Sequence, residues 1–295
     1  MKKPTHPLTY REALDGLLKA IDDAPTAPDH PIFKKWDDKE YFETQLMFSF
    51  RKQQAAEHHI GNVKSMLGTA EAAAIAAMKN KGRPAKNAVA STASLVVNSG
   101  QSTAYVHELS AFLAAVRSGL DFLGVAAART MPGIVAHSIH TLEKMVDKGQ
   151  QGGILEVVKT HQAWLAELRD YRDEVVHRQV VQAPAEGWLV STKGKTSKAI
   201  MPIVVPRRTP KRAFDTRQSR MMDNDVPLGL DRMESHGEVT FPDGTVKTIQ
   251  HKVTFRPSAS HIPIVELMTH HLMEYRKFSA AMFAVITKSG FGTVK

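Results

Sequence analysis

Residues 102–129 read STAYVHELSAFLAAVRSGLDFLGVAAAR, and the fold turns on that stretch. Leu109, Phe112, Leu113, Val116, Leu120 and Leu123 recur at steps of three, one, three, four and three. With 3.6 residues per turn, such steps place all six on one face of an α-helix. Met131-Pro132-Gly133 ends the pattern. Upstream, a helix is expected over about 39–66, with Phe42, Leu46, Phe50 and Ile60 among its apolar positions and Asp37 or Asp38 as its N-cap. Ala-rich sequence follows to Met78, and the basic stretch from Lys79 to Pro84 breaks it with Gly82 and Pro84. Downstream, a shorter helix is expected near 134–147 and a long one over about 154–178, on Ile154, Val158, Leu165 and Leu168 with Trp164, Tyr171 and Val175 beside them.

Composition changes at Pro184. Trp188–Val190 and Ile200–Val205 are β-rich runs around a Lys/Ser/Thr turn, and Pro206–Leu230 reads as an irregular loop. Glu238–Phe241 and Thr245–Phe255 flank Pro242-Asp243-Gly244, a hairpin turn signal. Helical spacing returns at about 262–288, with Ile264, Leu267, Met268, His271, Leu272, Tyr275, Phe278 and Met282. Residues 1–37 are Pro-rich, with one short helical stretch around Tyr10–Ile21. The sequence therefore predicts a mainly α-helical bundle with a small β-containing insertion before its last helix. Its parts are an N-terminal arm (1–37), the helical bundle (38–183), the insertion with a basic loop (184–260) and a closing helix (261–295).

The chain has 295 residues, 42 % hydrophobic and 23 % charged, which is the make-up of an ordinary folded protein. It has no Cys, which excludes disulfides, Cys-ligated metals and a Cys nucleophile. Ala70–Met78 and Leu109–Ala128 are interrupted by Glu71, Arg117 and Asp121 and fall short of the ~18–20 apolar residues of a membrane span. The start, Met-Lys-Lys followed by Pro, Thr and His, lacks the apolar core of a signal peptide. A cytoplasmic protein without membrane contact is expected. The net charge of +9 favours an acidic partner such as nucleic acid.

Chemistry concentrates where the long helix over 154–178 runs out. Arg172, Asp173 and His177 stand close together there, with Tyr171 adjacent. Arg172 and His177 point about 140° apart in an ideal helix. A long Arg and a terminal His can still converge on one groove, and the helix C-terminus favours a cationic His. The run Arg172-Asp-Glu-Val-Val-His177, following the helix that holds Arg117 and Asp121, resembles the HEPN superfamily, whose members carry Arg, a polar residue, a short spacer and His near the end of a bundle helix. The resemblance covers about 39–178 and 262–288. Arg51 with His58 and Arg256 with His261 have similar spacing, but the first lies inside a helix and the second in a Pro-containing linker.

That resemblance implies a homodimeric, metal-independent endoribonuclease of toxin or defence type, needing no cofactor. His177 would act as general acid or base and Arg172 would stabilise the phosphorane, with Asp173 assisting. Asp121, Arg117 and Tyr171 are second-tier positions. It equally admits a non-catalytic RNA-binding or protein-interaction module, gated by an antitoxin or regulator. The bland alternative is an Arg172–Asp121 ion pair between neighbouring helices, with His177 capping the last turn.

A second feature is basic. Lys193, Lys195, Lys198, Arg207, Arg208, Lys211, Arg212, Arg217 and Arg220 lie in loop-like sequence with Asp215 as the one acid between Lys193 and Arg220, the pattern of a phosphate-binding arm. The His pairs at 58–59 and 270–271, and His137 with His140, have no carboxylate at a metal-motif spacing, so no metal site is expected. Nucleotide-binding glycine loops and the serine-hydrolase elbow are absent.

Overall fold

The structure, a computed structural model, describes residues 9–80, 90–96, 99–131, 133–178, 186–192, 195–200, 203–207, 230–240, 242–257, 259, 261–289 and 291. It is mainly helical, with small antiparallel sheets. The helices are α1 (Tyr10–Asp23), α2 (Trp36–Asn80), α3 (Ser99–Arg129), α4 (Ile139–Asp147), α5 (Gly153–Thr160), α6 (Gln162–Arg178) and α7 (Ile264–Lys288). The strands are β1 (Ala90–Val96), β2 (Glu186–Thr192), β3 (Lys195–Ile200), β4 (Val204–Pro206), β5 (Leu230–Thr240), β6 (Val246–Pro257) and β7 (His261–Pro263). They pair as β1-β2-β3, β4-β7 and the hairpin β5-β6.

Chain contacts divide the molecule into two units. One comprises Met1–His58, Ala111–Arg172 and Thr269–Lys295; the other comprises His59–Ser110 and Asp173–Met268. The core of the first is helical. The α3 stripe from Phe112 onward lies in it, with Phe112, Leu113, Val116, Leu120 and Leu123 all buried. So are Leu272, Tyr275, Phe278, Met282 and Phe283 of α7. Two glycines let the helices approach. A Cβ on Gly119 would collide with the Tyr275 hydroxyl, and one on Gly124 would lie 2.9 Å from the Ile139 backbone. The Tyr275 hydroxyl is buried against Ser49, 2.7 Å from its Oγ and donating to its carbonyl at 3.0 Å. α1 starts with a capping box, Thr9 with Glu12, and buries Ala13, Leu14, Leu17 and Ile21.

The second unit holds the sheets. β1 runs antiparallel to β2 from Ala90↔Thr192 to Val96↔Glu186. Backbone pairing of β4 with β7 continues into α7, where the Ile264 N–H donates to the Ile203 carbonyl. In the same unit Glu108 of α3 ties to α2, with His59 Nδ1 at 2.7 Å and Asn62 Nδ2 at 3.2 Å.

Several expectations change. α2 continues to Asn80 instead of ending near Met66, because the Ala-rich stretch is itself strongly helix-forming. The helix expected over 154–178 is two, α5 and α6, joined at His161. No Gly or Pro marks that break. Thr160 Oγ1 instead donates back to the Glu156 carbonyl at 2.8 Å, a bond that bends helices, and the His161 ring seats edge-on against Phe278. The helix expected near 134–147 starts at Ile139. The turn expected at Lys195 and Lys198 is part of strand β3, paired antiparallel with β2 across a register shift between Val190 and Ser191. Arg256 lies in β6 and His261 opens β7, so that pair is not in a linker. β1 was not anticipated. Finally, α3 over Thr103–Arg129 is long and apolar enough, by length and composition alone, to cross a membrane. Arg117 and Asp121, four apart, pair with each other at 3.5 Å and interrupt the stretch less than two isolated charges would. Most of the stretch is buried within the protein, as in a core helix.

Candidate functional site

α6 turns Trp164, Leu165, Leu168, Tyr171 and Val175 inward as one buried stripe. That orientation leaves Arg169 and Arg172 at its margin, both partly exposed, and Asp173 in solvent. His177 lies in the last turn, one residue before the helix ends at Arg178; its side chain is outside the described residues. The division between the two units falls between Arg172 and Asp173, within α6.

Within the helical unit, α3, α4 and α6 bring a set of charged side chains together. Asp121 Oδ1 accepts from the Ile139 N–H at 3.1 Å and lies 3.5 Å from Arg117 Nε. Asp121 thereby caps α4 from another helix, a task Ser138, its own N-cap residue, does not perform with its side chain. Glu143 of α4 is almost fully buried. It accepts from Arg169 Nη1 at 3.3 Å and sits 3.2 Å from His140 Nδ1. Asp170 lies 3.8 Å from Arg169 Nε on the exposed side.

Electrostatics link these groups. Burial pushes the Asp121 carboxyl above the usual carboxylate range. Arg117, the Ile139 N–H and Arg172 oppose that shift, in that order, and Glu143 adds to it. Arg172 and Asp121 are therefore coupled by charge. Arg117 Nη1 is buried without a hydrogen-bond partner among the described residues. Tyr171 is buried, its ring 6.2 Å from that of His271, and burial holds its phenol well above the usual range.

The structure thus brings Arg117, Asp121 and Arg172 into one cluster and puts Tyr171 in the core. Sequence reading missed Glu143 and Arg169, and weighed His140 only with His137 as a metal-ligand pair. Glu143 left a trace, a carboxylate beside Leu142 and four residues after Ile139 on the buried face of a short helix. Of the basic residues, Lys195 and Lys198 lie in β3 and Arg207 directly follows β4. Lys193, Arg208, Lys211, Arg212, Arg217 and Arg220 lie outside the described residues. Among the described residues no group of three or more His, Asp or Glu side chains is arranged to hold a metal ion.

In comparisons with known proteins, no family model matches the chain, and no curated protein or solved structure matches it.

Proposed function

We propose that this chain is a metal-independent endoribonuclease of HEPN type, toxin-like or defence-like, working as a homodimer in the cytoplasm under a protein antitoxin or regulator. The observation that supports it is the position of Arg172 and His177 in the last two turns of α6. Arg172 is partly buried there, and its charge reaches the α3–α4 cluster through Asp121. Histidine is the side chain whose ordinary pKa lies nearest neutrality, which suits a residue asked to give and take a proton.

The chemistry needs no cofactor. One His177 takes the proton from a ribose 2′-hydroxyl, and that oxygen attacks the adjacent phosphorus. Arg172 stabilises the charge developing on the non-bridging oxygens. The partner's His177 protonates the departing 5′-oxygen. The products are a 2′,3′-cyclic phosphate and a free 5′-hydroxyl. The solvent-exposed Asp173 helps to hold Arg172 or His177 in place.

The test is end-labelled single-stranded RNA and tRNA incubated in EDTA with wild type and His177→Ala side by side. Cleavage by wild type alone supports the enzyme. Cleavage by neither, with RNA still bound, supports a second reading, a non-catalytic RNA-binding module. That reading is favoured by the bonds that tie α3, α4 and α6 together, which serve a scaffold equally well. It requires affinity to survive the loss of His177 and to fall, with a shallower salt dependence, when Lys195, Lys198 and Arg207 are neutralised.

A further inference from the structure

Glu143 of α4 is a carboxylate that the proposed chemistry does not use. Its side chain is only 4 % exposed, and a carboxylate is kept that deep only where its oxygens are paired. Arg169 of α6 supplies one partner, its Nη1 3.3 Å from Oε1 and 3.5 Å from Oε2. His140, one turn earlier on α4, supplies the other, its Nδ1 3.2 Å from the same Oε2. The His140 side chain is 42 % exposed. All three residues lie in the helical unit.

That arrangement fixes the ring. A carboxylate held by a guanidinium accepts, so His140 Nδ1 carries the hydrogen and donates it. The neutral ring then keeps its lone pair on Nε2. Nδ1 points at a buried oxygen, so the exposed edge of the ring is the Nε2 edge, and no described residue hydrogen-bonds Nε2. Glu143 also stabilises the positive charge that builds on the ring when Nε2 attacks an electrophile. His30 and His271 are not placed this way. Both are buried, and each spends its Nδ1 lone pair on N–H donors. His59 meets Glu108 through Nδ1 but is only 23 % exposed.

The surroundings suit a phosphoryl group. His140 is the second residue of α4, in the first turn, where a helix favours negative charge. Arg169 shares its Glu143 oxygen, and the exposed Lys144 stands one turn further along α4. The exposed acid nearby is Asp170, beside Arg169. We propose that His140 is a phosphoryl-acceptor site, taking a phosphoryl group on Nε2 from a small activated phosphoryl donor. The Nε2–P bond forms as the bond from phosphorus to the leaving group breaks, and the leaving group keeps that electron pair. The ring keeps its Nδ1 hydrogen, which Glu143 holds. This inference does not depend on the ribonuclease reading.

The test incubates the full chain with phosphoramidate, whose P–N bond breaks to release ammonia. Mass spectrometry locates the phosphohistidine and phosphorus NMR gives the ring position. In the folded protein His140 reacts at Nε2 at least ~10-fold faster than the exposed His137 and His270, the weight of one hydrogen bond to a charged group. Glu143→Gln lowers the His140 rate to theirs, with thermal melting confirming that the fold is kept. Wild type unfolded in urea loses the preference, a comparison that needs no substitution. A His140 no faster than His137 and His270 overturns the proposal, as does reaction at Nδ1 or a preference that persists in urea. A folded Glu143→Gln variant that reacts like wild type overturns it too.

Discussion

Asp121 is where helix capping and charge can be separated by substitution. Its Oδ1 accepts from the Ile139 N–H at 3.1 Å and lies 3.5 Å from Arg117 Nε. Asp121→Ala removes both. Loss of the cap costs about 1 kcal/mol. Depriving the mostly buried Arg117 of its acceptor costs about 1 kcal/mol more, screened by the remaining solvent access at the pair. For a chain of 295 residues, about 2 kcal/mol lowers the melting midpoint by roughly 3 °C. Asp121→Asn keeps an oxygen for Ile139 and removes only the charge. Because burial raises the Asp121 pKa, the folded state binds this proton more tightly than the unfolded chain does. The sign follows from linkage. Stability from this group is full at low pH and falls as pH rises from the unfolded carboxylate value through the raised folded one. Asp121→Asn therefore stays within about 1 kcal/mol of wild type at neutral pH and lacks that decline. Melting of the three proteins by circular dichroism from pH 3 to pH 8 reads both effects. An Asn variant as unstable as the Ala variant would refute capping as the main role.

Three further outcomes follow from the packing. Gly119→Ala and Gly124→Ala each place a Cβ against atoms that cannot withdraw, the Tyr275 ring and the Ile139 backbone, and each should cost about 1–3 kcal/mol by urea midpoint. Gly16→Ala in α1 meets nothing within 4 Å and should stabilise by about 0.5–1 kcal/mol. The Trp164 Nε1–H donates to His271 Nδ1 at 3.1 Å, and burial pushes this His down to about 4. Below the ordinary His range the unfolded chain alone takes up the proton. Stability should then fall with falling pH by up to about 1.4 kcal/mol per unit, a slope that His271→Gln flattens in acid melts.

The helices that follow a strict apolar period were legible in the sequence. The α3 stripe and the α7 positions from Ile264 to Met282 are buried where the 3.6-residue pattern puts them. Breaks written in side-chain hydrogen bonds were not legible, because Thr160 and His161 are ordinary helix residues until Phe278 packs beside them. β1 could not be read because its partner β2 lies roughly a hundred residues further along the chain and its own Ser/Thr/Ala content carries no strong alternation. At the site, Arg172 and Asp121 could be paired on paper through their helices. Glu143 and His140 come from a short helix whose approach depends on Gly124, a contact that no local pattern encodes.

The most direct test of the proposed chemistry is the identity of the RNA ends, read by mass spectrometry after incubation in EDTA with wild type and His177→Ala. General acid–base attack by the 2′-hydroxyl requires 2′,3′-cyclic phosphate and 5′-hydroxyl ends from wild type and none from the variant. Ends of 3′-hydroxyl and 5′-phosphate, or identical products from both proteins, would contradict it.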